Sequence, residues 1–175
     1  MKLFFITSLL LFGTFNPFAT ATEKVVIIET GAGKLEGTLL TGDLKVSKTV
    51  ALIIAGSGPT NRDGNNPTMI NNSLKMLAVE LAKIGISSLR YDKRGIGESK
   101  SSGLKESELR FDNYINDANS WVEYLNNLSN FNKIVVIGHS EGSLIGMVAS
   151  QQENVDKFIS IAGAGQQSIK QYESS

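Results

Sequence analysis

The hydrophobic residues of this chain recur in short continuous runs, separated by amphipathic stretches that are long enough for helices. Apolar runs bounded by turn-forming residues are typical of strands that are buried on both faces of a sheet. We predict such strands over residues 49–55, 86–91, 133–138 and 157–163. Two earlier runs, residues 24–29 and 34–40, flank a glycine-rich turn and predict an antiparallel pair.

Helices are predicted between these runs. Residues 69–84 and 109–128 carry apolar side chains every three or four positions, and a third, apolar stretch extends from the glycine at 138 to about residue 152. Strands and helices that alternate at short spacing favour a mostly parallel sheet with helices on both faces. The fold class predicted is therefore α/β, with a doubly wound sheet.

The apolar run at residues 134–137 leads directly into a Gly-x-Ser-x-Gly sequence, residues 138–142. In a nucleophile elbow, the serine lies in a sharp turn between strand and helix, and small flanking residues let the two elements approach. The pattern also occurs by chance, but here the strand and the helix that the motif requires are both present. We predict Ser140 as the nucleophile, with Gly138 and Gly142 as the elbow glycines.

Composition excludes several other kinds of site. The 175 residues carry 17 basic and 17 acidic side chains, which gives no electrostatic argument for binding nucleic acid or an anionic membrane. The sequence has no cysteine, which excludes disulfides, thiolate metal sites and cysteine catalysis. Its one histidine, His139, excludes a multi-histidine metal site. We predict no metal and no organic cofactor.

The N-terminus has the features of a signal peptide. A basic start precedes the apolar run Leu3–Phe12, which is short for a membrane span, and Pro17 follows soon after. Ala19-Thr20-Ala21 matches the small-x-small cleavage pattern. We expect residues 1–21 to be removed and the protein to be exported to the periplasm or secreted, without a stable membrane anchor. A retained N-terminal anchor is the alternative.

A loop rich in Gly, Asn and Pro, residues 56–67, follows the strand at 49–55. Open α/β sheets bind ligands beyond the carboxyl ends of their strands, and glycines there let backbone N–H groups face a bound oxygen. The alternative is a plain surface loop. A phosphate-binding loop is disfavoured because no Gly-Lys-Ser/Thr ending is present.

Three motifs, taken in order, resemble those of the α/β-hydrolase superfamily. Residues 55–59 lie where that superfamily has its oxyanion loop, residues 91–99 resemble its Asp-x-Arg-Gly-x-Gly-x-Ser turn, and residues 138–142 are the elbow. The Gly-Ser-Gly-Pro-x-x-Arg-Asp-Gly sequence at 56–64 is most similar to exported bacterial esterases of the serine-aminopeptidase-like, S33-type subgroup. The resemblance extends over about residues 25–163.

This resemblance assigns roles to individual residues. It implies that Ser140 is the nucleophile and that the backbone N–H groups of Glu141 and Ser57 form the oxyanion hole. Other residues are expected to lie against the substrate, namely Gly56, Gly58 and His139. The next group is expected to hold the turn rather than contact substrate: Asp92, Arg94, Gly95 and Gly97. We do not expect His139 to act as the general base.

The sequence departs from the superfamily after Ser140. A serine nucleophile needs a base, and in α/β-hydrolases an acid and then a histidine follow the serine along the chain. No histidine follows Ser140 here, and Glu153 and Asp156 lie too early for the acid. We therefore expect residues 22–175 to be the N-terminal portion of a hydrolase domain, truncated after the strand that follows the elbow and nearly inactive alone.

Three hypotheses about function remain open on the sequence. The first is a serine hydrolase acting on small carboxylic esters or thioesters. The second is a non-catalytic α/β-hydrolase-like binding module or pseudoenzyme remnant, and the third is an exported structural domain with an incidental elbow. Reaction with a fluorophosphonate would support the first, and ligand-induced stabilisation without reaction would support the second. The oligomeric state is not predicted.

Overall fold

One sheet runs through residues 21–102 and 108–163, the part of the chain that the computed structural model describes. Its six strands are β1 (Thr22–Thr30), β2 (Gly33–Thr41), β3 (Thr49–Ile54), β4 (Ser87–Tyr91), β5 (Lys133–His139) and β6 (Lys157–Ile161). The order across the sheet is β1-β2-β4-β3-β5-β6. The predicted signal peptide up to residue 20 and the final polar segment from residue 164 lie outside the described residues.

The strand directions confirm a mostly parallel α/β sheet. β1 pairs antiparallel with β2, and β2 pairs antiparallel with β4. β4, β3, β5 and β6 then pair in parallel. The carboxyl ends of these four strands therefore meet at one edge of the sheet, where open α/β sheets place their ligand sites.

Helices cover both faces of the sheet. The helices of the described residues are α1 (Ser73–Lys83), α2 (Phe111–Asn126) and α3 (Glu141–Ala149), with a short 3₁₀ helix at Gly97–Ser99. α1 begins later than the predicted position 69, because the Asn65 side chain accepts hydrogen bonds from the N–H groups of Asn71 and Asn72 and holds a loop there. α3 ends at Ala149, before the predicted residue 152.

The core lies in two layers because successive side chains of a strand point to opposite faces. Val50, Leu52 and Ile54 of β3 belong to the layer that contains Trp121 and Leu125 of α2. The intervening residues of β3 belong to the layer on the other face, together with Leu74 and Ala78 of α1: Ala51 and Ile53. The continuous apolar run of β3 thus reflects burial on both faces.

β5 and α3 approach so closely that their junction requires glycine. A Cβ added to Gly138 would overlap the backbone of Gly142 and lie 2.5 Å from Cα of Ser143. A Cβ added to Gly142 would overlap the carbonyl oxygen of Ile54 at the end of β3. Because the overlaps are with backbone atoms, a side chain at either position would have to move a whole element.

We predict that Gly138→Ala lowers the free energy of unfolding by about 1–3 kcal/mol, because its methyl group overpacks this junction. The matched control is Gly31→Ala, where an added Cβ has no neighbour within 4 Å, and a change below about 0.5 kcal/mol is expected. Urea denaturation followed by circular dichroism measures both variants. Equal stability of the two variants would contradict the inferred packing.

Candidate active site

Ser140 lies between β5 and α3 in a strained backbone conformation. Its φ of 53° and ψ of −118° are rarely adopted by residues other than glycine. Its N–H donates to the carbonyl oxygen of Ile161 on β6 at 2.9 Å, and its own carbonyl accepts from the N–H of Ser143 at 2.9 Å. Hydrogen bonds on both sides thus hold the sharp turn that a nucleophile elbow requires.

The loop after β3 lies directly against this turn. A Cβ added to Gly56 would lie 3.1 Å from Nδ1 of His139 and 3.3 Å from Cβ of Ser140, closer than neighbouring groups normally pack. Gly56, Ser57, His139 and Ser140 line one cavity of about 140 Å³. The structure therefore brings together four of the residues that the sequence singled out.

Two backbone N–H groups beside Ser140 are available to a ligand. Glu141 is the first residue of α3, where N–H groups have no partner within the helix and the helix dipole favours negative charge. Ser57 holds its loop through its carbonyl, which accepts from Oγ1 of Thr60 at 3.0 Å. Within the described part of the chain, its N–H donates to no other residue. The oxyanion-hole roles of Ser57 and Glu141 stay predictions.

Gly58 is placed apart from this cavity. Its φ of +68° requires the freedom of glycine, and no atom lies within 4 Å of where its Cβ would be. It lines a larger cavity of about 550 Å³ together with Pro59, Lys93 and Glu141. The loop residues predicted to contact substrate therefore face two adjoining cavities.

The side chains of His139 and Ser140 line the same cavity. Across residues 21–102 and 108–163, no hydrogen bond joins the His139 ring to Ser140 or to a carboxylate. A general base needs such contact with the hydroxyl whose proton it removes. The exclusion of His139 as the general base stays a prediction.

Asp92 holds two loops at once. Its carboxylate accepts hydrogen bonds from the backbone N–H of Glu98 at 3.0 Å, within its own turn, and from the backbone N–H of Arg62 at 2.7 Å. Arg62 also donates to it through Nε at 3.0 Å and Nη2 at 2.7 Å. Gly97 has a φ of +52°, and its missing Cβ leaves the space that the Asp92 carboxylate occupies.

Arg94 binds a different set of groups. It forms an ion pair with Asp117 of α2 and donates to the carbonyl oxygens of Ala32 at 3.0 Å and Ser102 at 2.9 Å. Gly95 follows with a φ of +80°, and its N–H donates to the carbonyl oxygen of Ser99 at 3.1 Å. These contacts connect the turn after β4 to α2 and to the β1–β2 turn.

Burial perturbs two of these charged groups. Desolvation alone would lower the pKa of Arg62, but hydrogen bonds to Asp92 and Glu36 outweigh it and raise the pKa above its ordinary value. For the carboxylic acid Asp117, desolvation has the opposite sign and raises the pKa, while the adjacent Arg94 opposes that shift. Arg62 therefore stays cationic, and the two hydrogen bonds that its guanidinium donates to Oδ2 of Asp92 are charge-assisted.

Sequence reasoning missed Arg62 and Lys93 as site-building residues. Arg62 is the arginine of the Gly-Ser-Gly-Pro-x-x-Arg-Asp-Gly motif at residues 56–64, and that motif could have indicated its role. Nothing in the sequence indicated the partners of Lys93, whose Nζ donates to the carbonyl oxygen of Gly56 at 2.6 Å and to Oε1 of Glu141 at 2.8 Å. Both contacts flank the candidate oxyanion donors.

Residues 21–102 and 108–163 contain neither a metal-binding cluster nor a membrane-spanning helix. No group of three or more His, Asp and Glu side chains is placed to bind a metal ion there. None of the helices in those ranges has the length and hydrophobicity needed to cross a bilayer.

The sequence model of the family described as serine aminopeptidase, S33, matches residues 71–173, which include the turn after β4, the elbow and α3. The chain belongs to this family of α/β-hydrolases. No protein of curated function matches the chain significantly.

Solved structures show the same fold. The α/β hydrolase GrgF from Penicillium sp. sh18 is 22% identical with a TM-score of 0.66, over 86% of this chain and 50% of that one. A lidless serine hydrolase from Xanthomonas campestris is 21% identical with a TM-score of 0.66, over 86% and 66%. Est1E from Butyrivibrio proteoclasticus, bound to ferulic acid, is 21% identical with a TM-score of 0.61, over 76% and 50%. The chain thus spans half to about two thirds of the length of these structures.

We predict that Arg62→Met lowers the free energy of unfolding by about 3–5 kcal/mol, because it leaves the Asp92 carboxylate buried without its cation. The control is Lys34→Met, which removes an exposed ion pair with Glu29 and should cost less than about 1 kcal/mol. Urea denaturation at neutral pH measures both. Adding Asp92→Asn to Arg62→Met should recover part of the loss, and a strictly additive loss would contradict the inferred pairing.

Proposed function

We propose that this protein is a serine hydrolase that cleaves carboxylic esters or thioesters of small molecules, with Ser140 as its nucleophile. The observation that carries this proposal is the strained backbone of Ser140 at the N-terminus of α3, beside the Gly56–Ser57 loop. That arrangement exposes a hydroxyl next to two candidate oxyanion donors. Family membership supports the same class of reaction.

The proposed reaction proceeds in two steps. The Oγ of Ser140 loses its proton to a base and forms a bond with the acyl carbon, while the bond to the alkoxide or thiolate leaving group breaks and that group is protonated. Water then hydrolyses the acyl-enzyme and releases the acid. The N–H groups of Ser57 and Glu141 would stabilise the oxyanion in both steps, by about 3 kcal/mol per donor.

The base is the component that the described residues do not supply. The sequence has one histidine, and within the described ranges its ring forms no hydrogen bond with Ser140. We propose that the 175-residue chain alone hydrolyses esters slowly, and that fast turnover requires an imidazole and a carboxylate from elsewhere. The same observation favours the second candidate, a binding module that holds an ester without turnover.

The solved structures support a small-molecule substrate. Ferulic acid, found bound to Est1E, is a carboxylic acid of the kind that ester hydrolysis releases. A lidless serine hydrolase also shares this sheet, so an open site on the fold is compatible with the class. We also propose that the protein acts after export, because residues 1–21 have the pattern of a cleavable signal peptide.

Hydrolysis of p-nitrophenyl butyrate by the protein expressed from its complete native gene tests the proposal. Ser140→Ala should lower kcat by about a thousandfold or more, because the nucleophile is lost. The matched control is Ser120→Ala, whose hydroxyl donates to the carbonyl of Asn116 on α2, away from the cavity of Ser140, and it should retain wild-type kcat. Where the complete native gene encodes residues beyond these 175, the 175-residue chain alone should be far slower than the whole product.

The outcomes separate the candidates. Equal rates for Ser140→Ala and wild type would contradict the proposed nucleophile. An inactive wild type whose melting temperature rises with butyrate or its esters would favour the binding module.

A further inference from the structure

Lys93 is a buried cation beside the candidate active site. Its side chain is 3% exposed. Burying an ammonium group costs several kcal/mol unless hydrogen bonds and an opposite charge compensate it, so its partners indicate its role. Nζ donates to the carbonyl oxygen of Gly56 at 2.6 Å and to Oε1 of Glu141 at 2.8 Å, and it lies 5.4 Å from the centre of the Tyr114 ring.

Both partners lie next to Ser140, one in space and one along the chain. Gly56 directly precedes Ser57, and Glu141 directly follows Ser140. Lys93 therefore joins the loop after β3 to the first turn of α3, the two segments that carry the candidate oxyanion donors. Gly56 lies 37 positions and Glu141 48 positions from Lys93, and a single ammonium group binds both.

The contact with Gly56 has a consequence for Ser57. The carbonyl of Gly56 and the N–H of Ser57 belong to one planar trans peptide, so they point in opposite directions. A short hydrogen bond that holds the carbonyl therefore also fixes the direction of the N–H. Because a cation on the carbonyl oxygen polarises the peptide, it should strengthen that N–H as a donor.

Among the described residues, Lys93 supplies the hydrogen bond to this peptide group. Gly56 has no side chain, and Gly58 adopts a φ of +68° with open space around the position of its Cβ. Glycines on both sides of Ser57 would permit the peptide to rotate at low cost. The Lys93 hydrogen bond opposes this rotation directly, and the packing of Gly56 against Ser140 and the hydrogen bond from Thr60 to Ser57 act beside it.

The second partner of Lys93, the carboxylate of Glu141, is negatively charged and lies next to the candidate oxyanion site. Glu141 carries a carboxylate on the same residue whose backbone N–H would face the oxyanion. An unpaired carboxylate there would repel the developing negative charge. Its ion pair with Lys93 compensates that charge while leaving the backbone N–H free.

We propose that Lys93 is a positioning residue that orients the N–H of Ser57 by holding the carbonyl of Gly56. This inference deepens the proposed function and rests on it for the role of the N–H in catalysis. The orientation of the Ser57 N–H does not depend on turnover, so the orienting role of Lys93 and the proposed hydrolase function can be tested separately.

The test combines kinetics with the direction of the Ser57 N–H bond, measured by residual dipolar coupling in ¹⁵N-labelled protein expressed from the complete native gene. In Lys93→Met, we expect the Ser57 coupling to change and kcat for p-nitrophenyl butyrate to fall about 10- to 100-fold, with KM within about twofold. The control Lys83→Met removes an exposed lysine–glutamate pair and should leave both unchanged.

The outcomes are distinct. An unchanged Ser57 coupling in Lys93→Met would overturn the proposal. A changed coupling with unchanged kcat would keep the orienting role and contradict the use of the Ser57 N–H as an oxyanion donor. If wild type shows no hydrolysis but the coupling depends on Lys93, the proposed function fails and the orienting role stands. If Lys93→Met does not fold, Lys93→Met/Glu141→Gln removes both charges and is measured in its place.

Discussion

The close approach of β5 to α3 is the constraint on which the site depends. Gly138 lies against the backbone of Gly142, and Gly142 in turn lies against the end of β3. Because the two elements touch at backbone level, the residue between them must turn sharply, and Ser140 takes a φ of 53°. The same packing brings the loop after β3 next to the serine. One steric requirement thus sets the serine's conformation, its exposure and its neighbours.

Buried ion pairs then fix the loops around that junction. Asp92 binds Arg62 from the loop after β3, and Lys93 binds Gly56 and Glu141. These charges are costly to bury, and apolar side chains could fill the same space at lower cost. Their directional hydrogen bonds supply what apolar packing does not, because they determine the orientation of individual peptide groups. We infer that the network serves the geometry of the site more than the stability of the fold.

The sequence predicted the sheet and the elbow because both leave local patterns. Continuous apolar runs such as that of β3 report burial on two faces, and the glycine spacing around Ser140 reports a tight strand-to-helix turn. The predicted start of α1 at residue 69 was wrong, because the Asn65 side chain accepts hydrogen bonds that hold residues 71 and 72 in a loop before the helix. The Arg62–Asp92 and Lys93–Glu141 pairs join residues 30 and 48 positions apart, and no local pattern indicates such pairing.

The most direct test of this account is to identify the residue that reacts with a fluorophosphonate in the protein expressed from its complete native gene. Peptide mapping by mass spectrometry after brief exposure locates the adduct. The account predicts a single phosphonyl adduct on Ser140, absent from heat-denatured protein, because reactivity comes from the folded elbow. A folded protein with no adduct, or with an adduct on another serine, would contradict the assignment of Ser140 as the nucleophile.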